Sequence, residues 1–317
     1  FVSEDFGKTW KSIVNGIPLG STLHVVREHH RNPNLLFAGT EKGLYISFNR
    51  GEHWEHVTGS LPNVPVDDVQ IHPRDNDIIL ATHGRSIWVL DDIAAIEGIA
   101  DAVAADKPTI FPIRNAVSYR VNSHKGFTGD KKFYAPNAPN GAIIQYFLPR
   151  PLAENETCKL VILDKSGRNS IAEIRNASKN VGINRVIWDM RLGAAAATPT
   201  EAPIQGRRRA IGIRGPRVLP GTYTAQLSVG KDVVTATFTA EEDPRLKLTE
   251  KELKARFDLL VKLNSLSTTA TDIRRVIDKS VDDLDELLKS DAFKPADKGL
   301  QEEVTNLHKS VVALQDR

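Results

Sequence analysis

Three regimes of apolar and polar positions follow one another along the chain. In the first, short apolar runs alternate with clusters of Gly, Pro, Asn and Asp. Residues 24–28, 35–40, 43–47 and 53–57 read as successive strands, parted by Asn32-Pro33-Asn34, Glu41-Lys42-Gly43 and Asn49-Arg50-Gly51. Branched and aromatic side chains suit a pleated surface, and the turn residues supply the reversals. The pattern recurs at an offset of 43, mapping Val26 to Val69, Ala38 to Ala81 and Ile46 to Val89, and predicts strands at 66–71, 78–82 and 86–90. Residues 94–105 read as a short helix and 109–120 as extended chain, while 122–140, rich in Gly, Pro, Asn and Lys, read as a linker.

The second regime starts at Gly141. Residues 142–148, 159–163, 171–175, 185–189, 221–229 and 233–239 alternate with period two and are bounded by turns, which predicts an antiparallel sandwich. After Asp243-Pro244-Arg245 the period becomes helical. Thr249 and Glu252 have the spacing of a capping box. Leu253, Phe257, Leu260, Leu263, Leu266, Ala270, Ile273, Ile277, Leu284 and Leu288 form one apolar face, broken at 290–295. Leu300, Val304, Leu307, Val311 and Leu314 then recur at steps of four and three, a heptad seam. Two such helices form an antiparallel hairpin that packs on itself or on the sandwich, or else serves as a partner-binding or dimerising coiled coil. The expected fold is mainly β, with domains at 1–93, 94–140, 141–244 and 245–317.

The first regime is organised around Ser47-Phe48-Asn49-Arg50-Gly51-Glu52-His53-Trp54, of the form S-x-[D/N]-x-G-x-x-W. A second copy is Ser3-Glu4-Asp5-Phe6-Gly7-Lys8-Thr9-Trp10, with Asp5 and Asn49 separated by 44 residues. The box reads as a hairpin turn. Asp5 or Asn49 accepts from backbone N–H groups two residues on. Gly7 and Gly51 supply positive φ, and Trp10 and Trp54 bury apolar surface between neighbouring sheets. A third box is missing, since Asp91-Asp92-Ile93 stands in its place.

This pattern resembles the Asp-box (BNR) repeat of sialidase-like and sortilin-like β-propellers. The resemblance implies that Ser3, Asp5, Gly7, Trp10, Ser47, Asn49, Gly51 and Trp54 are structural. It also implies that residues 1–93 are the last two to three blades of a partial β-propeller. The final blade lacks its outer strand, and further blades lie upstream of Phe1. The phrases Gly182-Ile-Asn-Arg-Val-Ile-Trp188-Asp189-Met-Arg191 and Leu219-Pro220-Gly221-Thr222-Tyr223-Thr224 resemble the Ig-like domain of flagellar hook-capping proteins. The whole layout is similar to large bacterial Asp-box proteins of the sortilin-like or glycosyl-hydrolase-like type. It implies an extracytoplasmic location and a glycan- or peptide-binding module. The alternative it leaves open is a glycoside hydrolase with its carboxylates mainly upstream.

Composition narrows this picture modestly. The 317 residues are 40% apolar and no apolar run approaches the length of a membrane-spanning helix. No signal peptide is legible. The single Cys158 excludes an intrachain disulfide framework. Net charge is −4 over residues 1–92, +8 over 93–248 and −2 over 249–317, and without a motif the basic middle does not imply nucleic acid. Arg207, Arg208, Arg209, Arg214 and Arg217 fall in one loop, read as a solvated segment or an anion patch. Seven of the nine His lie in residues 1–92 without metal-ligand spacing, and strand alternation sets His29 and His30 apart. No phosphate loop or nucleophile motif is present, so no cofactor is expected. The weak catalytic candidates are Asp67, Asp68, His83 and Arg85. The two aspartates project to opposite faces of a strand, so they do not by themselves make the carboxyl pair of a glycosidase.

Overall fold

The computed structural model describes residues 1–120, 137–175, 177–195, 215–290 and 297–315. These residues are mainly β, in several sheets, with one short internal helix and two C-terminal helices. They fall into two compact units. One holds the strands and the short helix, the other the two C-terminal helices.

The first sheet is an antiparallel meander of β1 (Leu23–Glu28), β2 (Leu36–Thr40), β3 (Gly43–Ser47) and β4 (Glu55–His56). The next has β5 (Val66–Ile71), β6 (Ile78–Thr82) and β7 (Ile87–Leu90) in the same sense. Even the irregularities repeat: the ladder skips a residue between Leu23 and Val25, and again between Val66 and Asp68, 43 positions on. The repeat departs from the expected mapping at one strand. Val26 pairs with Ala38, but Val69 pairs with Leu80, so Ala38 corresponds to Leu80 rather than Ala81. The turn 72–77 is one residue shorter than the turn 29–35, and the β6–β7 turn restores the count, so Ile46 and Val89 still correspond.

Both strands in the middle of the first sheet are buried along their whole length. One face, with Leu35, Phe37, Leu44 and Ile46, packs on Val66, Val69, Ile78 and Leu80 of the next sheet. The other face, with Leu36, Ala38 and Tyr45, is closed by Trp54 and Ile17. The sheets approach so closely that a Cβ on Gly39 would stand 2.5 Å from the Val66 carbonyl oxygen.

The two boxes fold into the same hairpin. Ser47 Oγ accepts from Gly51 N at 2.8 Å and donates to Asn49 Oδ1 at 2.9 Å. Ser3 Oγ accepts from Gly7 N at 2.7 Å and donates to Asp5 Oδ1 at 2.9 Å. Asn49 Oδ1 then accepts from His53 N at 3.0 Å, and Asp5 Oδ1 from Thr9 N at 2.8 Å. The acceptor thus reaches four residues on, not two, because both central positions are left-handed and curl the chain around the carbonyl: Phe6 and Gly7 at φ 57° and 84°, Arg50 and Gly51 at 56° and 86°. The tryptophans differ. Trp54 is 2% exposed, and its Nε1 donates to the Ile13 carbonyl at 2.7 Å. Trp10 is 63% exposed and donates within its own hairpin, to the Gly7 carbonyl.

After β7 the chain does not turn into a fourth strand. Asp92, at φ 55°, leads into α1 (Ala94–Ala105). This helix lays Ala95 and Ala102 against Phe111 and Phe147. β8 (Thr109–Ile110) pairs with β10 (Ala142–Leu148), whose other neighbour is β13 (Gly182–Trp188). A six-stranded sheet runs β14-β12-β11-β15-β16-β9. Its members are β9 (Ala116–Ser118), β11 (Cys158–Leu163), β12 (Ser170–Ile174), β14 (Gly193–Ala195), β15 (Gly221–Val229) and β16 (Asp232–Glu242). Its edge pairs are parallel rather than antiparallel, a departure from the all-antiparallel expectation. Edge strands delivered by long connections are free of the hairpin constraint that fixes the opposite sense. Fully buried Trp188 meets Tyr223 and Phe238 edge-on, with ring centroids 5.7 and 6.0 Å away. Buried Asp243 ends β16: Arg245 forks onto it and Arg120 N donates to it, holding its carboxyl well below the usual range.

In the second unit the Thr249–Glu252 capping box is formed and opens α2 (Glu250–Lys289). α3 (Lys298–Gln315) returns along it, with His308 Nε2 2.7 Å from Asp285 Oδ1. Most of the 122–140 stretch, Arg207, Arg208, Arg209 and Arg214, and most of the break at 290–295 lie outside the described residues.

The hairpin geometry sets an order of stability. Asn49→Ala removes one side-chain acceptor and is expected to cost about 1 kcal/mol. Gly51→Val should cost more: its φ is left-handed, and the new Cβ would lie 2.8 Å from Ile13 Cδ1. Denaturant melts of the two variants check the ranking.

Candidate functional site

The weak catalytic candidates gather at one end of the β5–β6–β7 sheet, but not as a reacting centre. Asp67 is the residue skipped in the β5 ladder, and its carboxylate comes 3.7 Å from His83 Nδ1, with both side chains largely in solvent. Asp68 projects elsewhere. It accepts from Gln70 Nε2 at 2.7 Å, from Val69 N at 2.9 Å and from Arg27 Nη2 at 2.9 Å. The Gln70 contact, then Val69 N–H and Arg27, hold its carboxyl below the usual range, so it stays ionised where a general acid needs its proton. Arg27 also donates to the Val69 carbonyl at 2.9 Å, tying β1 to β5. Arg85 is exposed in the β6–β7 turn, which is closed by Thr82 Oγ1 to the Ser86 carbonyl and by Trp88 Nε1 to the Arg85 carbonyl. The group can make charged and hydrogen-bonded contacts with a ligand. It has neither the burial nor the paired carboxyls of glycoside cleavage.

A second concavity lies between the two boxes. Glu4, Trp10, Lys11, Ile13, Phe48 and Arg50 line a groove of ≈ 550 Å³, with Glu4 and Arg50 3.8 Å apart.

The most connected polar cluster was not legible as a site. His29 is buried. Its Nδ1 accepts from Arg31 N and Asn32 N at 3.3 and 3.2 Å, which assigns the proton to Nε2, donating to Asn76 Oδ1 at 2.8 Å. Asn76 Nδ2 donates to Glu97 Oε2, and Glu97 takes a two-pronged contact from Arg31, at 2.6 and 3.2 Å. The 3.9 Å approach of Glu97 to His29 Nδ1 is therefore one acceptor facing another, not an ion pair. His29 and His30 do not point apart. They lie beyond the end of β1, where strand alternation no longer holds, and their rings stack at 4.7 Å. The cluster locks the turns of two successive sheets to α1, and its legible signal is His29 and His72 at the repeat spacing. His72 Nδ1 likewise accepts a turn N–H, from Asp75. Among the described residues no three His, Cys, Asp or Glu side chains converge to hold a metal.

A further polar layer joins this region to β10. Asp77 Oδ1 accepts from Asp92 N at 2.7 Å and from Arg114 Nη1 at 2.8 Å. Gln145, from β10, donates to the Asp92 carbonyl at 2.6 Å and accepts from Ala95 N at 3.1 Å. Burial pushes the Asp92 carboxyl up and the Arg185 guanidinium down. A carboxyl raised in the folded state binds its proton more tightly there than in the unfolded chain. It therefore costs stability at neutral pH, and the cost is relieved as pH falls through its folded value toward about 4. Asp92→Asn keeps the oxygen that accepts from Ala94 N. The stability of wild type minus that of Asp92→Asn is expected to rise as pH falls from 7 to 4, read from denaturant melts at each pH.

No family model matches the chain. Over 132 residues it is 38% identical to a vacuolar protein sorting/targeting protein 10 of Pyrenophora teres f. teres, and 26% identical to the protein of that name of Pyrenophora tritici-repentis. Each alignment takes in 42% of this chain and 8% of the relative, so the chain spans a small part of the curated relatives it matches. No helix among the described residues is long and apolar enough to cross a membrane. The likeness, distant and partial, is to the sortilin-like class.

Proposed function

We propose that the chain is an interaction module of an extracytoplasmic, sortilin-like β-propeller protein. Its exposed end at Asp67, His83 and Arg85 engages a peptide or glycan without turning it over. The carrying observation is the doubled unit, with two boxes of one hydrogen-bond pattern and two inner strands bulged at positions 43 apart. Packed face to face, such sheets are blades, and a ring needs roughly four to eight of them. The reading therefore includes further blades, one of which covers Trp10 as Trp54 is covered here. It also takes the Trp188-centred sheets as an Ig-like sandwich. Supporting that, Tyr223 OH donates to the Leu219 carbonyl four residues upstream, at 2.7 Å, much as a tyrosine corner does. The named relatives are sorting and targeting proteins, which favours a peptide over a glycan. No observation favours the glycoside hydrolase reading, and Asp68, held ionised, speaks against a role as its acid.

The test is to screen the full chain against a peptide library and a glycan array, then repeat with Asp67→Ala/His83→Ala/Arg85→Ala. The expected result is binding of a peptide class that the triple variant weakens roughly tenfold, about 1.4 kcal/mol, with an unchanged melting curve. Binding indifferent to the three substitutions would move the site elsewhere. New reducing ends from any glycan would replace the binding reading with catalysis.

A further inference from the structure

Asn155-Glu156-Thr157 has the form Asn-x-Ser/Thr with x other than proline, the acceptor motif of N-linked glycosylation. Asn176-Ala177-Ser178 has the same form, but Asn176 lies outside the described residues. Short motifs recur by chance, and what separates a usable acceptor from a coincidence is presentation. A transferring enzyme needs the carboxamide and the hydroxyl two residues on, both free and both reachable from solvent.

The structure presents Asn155 in that way. Residues 153–156 make a tight turn ahead of β11, closed by Glu156 N donating to the Ala153 carbonyl at 2.9 Å, and Asn155 stands at its corner. The middle residue of the motif is its anchor. Arg150 forks onto the Glu156 carboxylate at 2.8 and 2.9 Å, and Ala153 N donates to it at 3.1 Å. The Glu156 side chain is only 13% exposed. It lies against the β15–β16 turn, where a Cβ on Gly230 would stand 2.6 Å from Glu156 Oε1. Gly230 N donates to the Thr157 carbonyl at 3.0 Å, tying the backbone beyond the motif to the same turn. With Glu156 drawn inward, its two neighbours point out. Asn155 and Thr157 are both exposed, and neither side chain has a hydrogen-bond partner among the described residues. The carboxamide and the hydroxyl are therefore free, on a turn that is held in place from beneath. Beside the turn runs an open cleft of ≈ 530 Å³ lined by Pro151, Leu152, Glu154, Lys179 and Val181, with Val181 54% exposed.

We propose that Asn155 is a glycosylation site, carrying an N-linked oligosaccharide that covers this end of the six-stranded sheet. The proposal rests on the extracytoplasmic placement proposed above. The donor is an oligosaccharide on a polyprenyl diphosphate. Asn155 Nδ2 attacks the anomeric carbon of the first sugar, the C–N bond forms as the C–O bond to phosphate breaks, the amide gives up one proton, and the polyprenyl diphosphate leaves. The bulky, hydrated product keeps the Val181 cleft from other proteins. The test expresses the full chain in yeast with a secretory leader added, in an Asn176→Gln background that leaves Asn155 as the one Asn-x-Ser/Thr acceptor. The secreted chain is expected to run as a heavier band that collapses on treatment with a peptide N-glycosidase, and peptide mass should then show an aspartate at position 155. Asn155→Gln and Thr157→Ala should each abolish the heavier band, and Thr157→Ser should keep it, all with unchanged melting curves. A secreted, folded chain with Asn155 bare, or a glycosidase-sensitive band that survives Asn155→Gln, overturns the inference. The leader delivers the chain to the lumen whatever its natural compartment. A bare Asn155 therefore counts against the site and not against the extracytoplasmic reading, which is checked by fractionating the source cells.

Discussion

The first two sheets depend on the burial of β2 and β3 from both sides. A strand covered on both faces cannot alternate apolar with polar, so Leu36-Phe37-Ala38-Gly39-Thr40 is apolar or small throughout. That demand fixes its neighbours. One face needs Val66, Val69, Ile78 and Leu80, which brings in the next sheet. The other needs Trp54, which the box aims and the strap at 13–17 clamps. Burying four or five large apolar side chains at about 2 kcal/mol each outweighs the cost of bulges and left-handed turns of roughly 1 kcal/mol apiece. The polar locks at His29–Asn76–Glu97 and Asp77–Arg114 then decide how the sheets align, since apolar contact has no direction and hydrogen bonds do.

Much of the fold was legible because it rests on local rules. Alternation found most strands, Thr249 with Glu252 marked the start of α2, and the spacing of Asp5 and Asn49 exposed the repeat. Misreadings arose where turns intervened. A one-residue difference between the turns at 29–35 and 72–77 moved the partner of Val69 from Ala81 to Leu80. The parallel edges formed by β9 and β14 come from long-range return of the chain, which no local pattern encodes. The candidate site was less legible still. His29 and Asn76 are 47 residues apart and meet because two turns stack, and Gln145 reaches Asp92 across 53 residues. Asp67 and His83 were named only as separate candidates; their 3.7 Å approach and their exposure are properties of packing that no local pattern encodes.

The placement of the four tryptophans has a practical consequence. Trp10 sits on the leading hairpin, Trp54 under the first sheet, Trp88 in the second and Trp188, fully buried, at the end of β13. The helical unit holds none. Intrinsic fluorescence therefore reports on the β unit alone, while ellipticity at helical wavelengths is dominated by α2 and α3. Two ordinary optical signals from the unlabelled chain are thus assigned to different units, and whether their unfolding transitions coincide measures how far those units are energetically coupled.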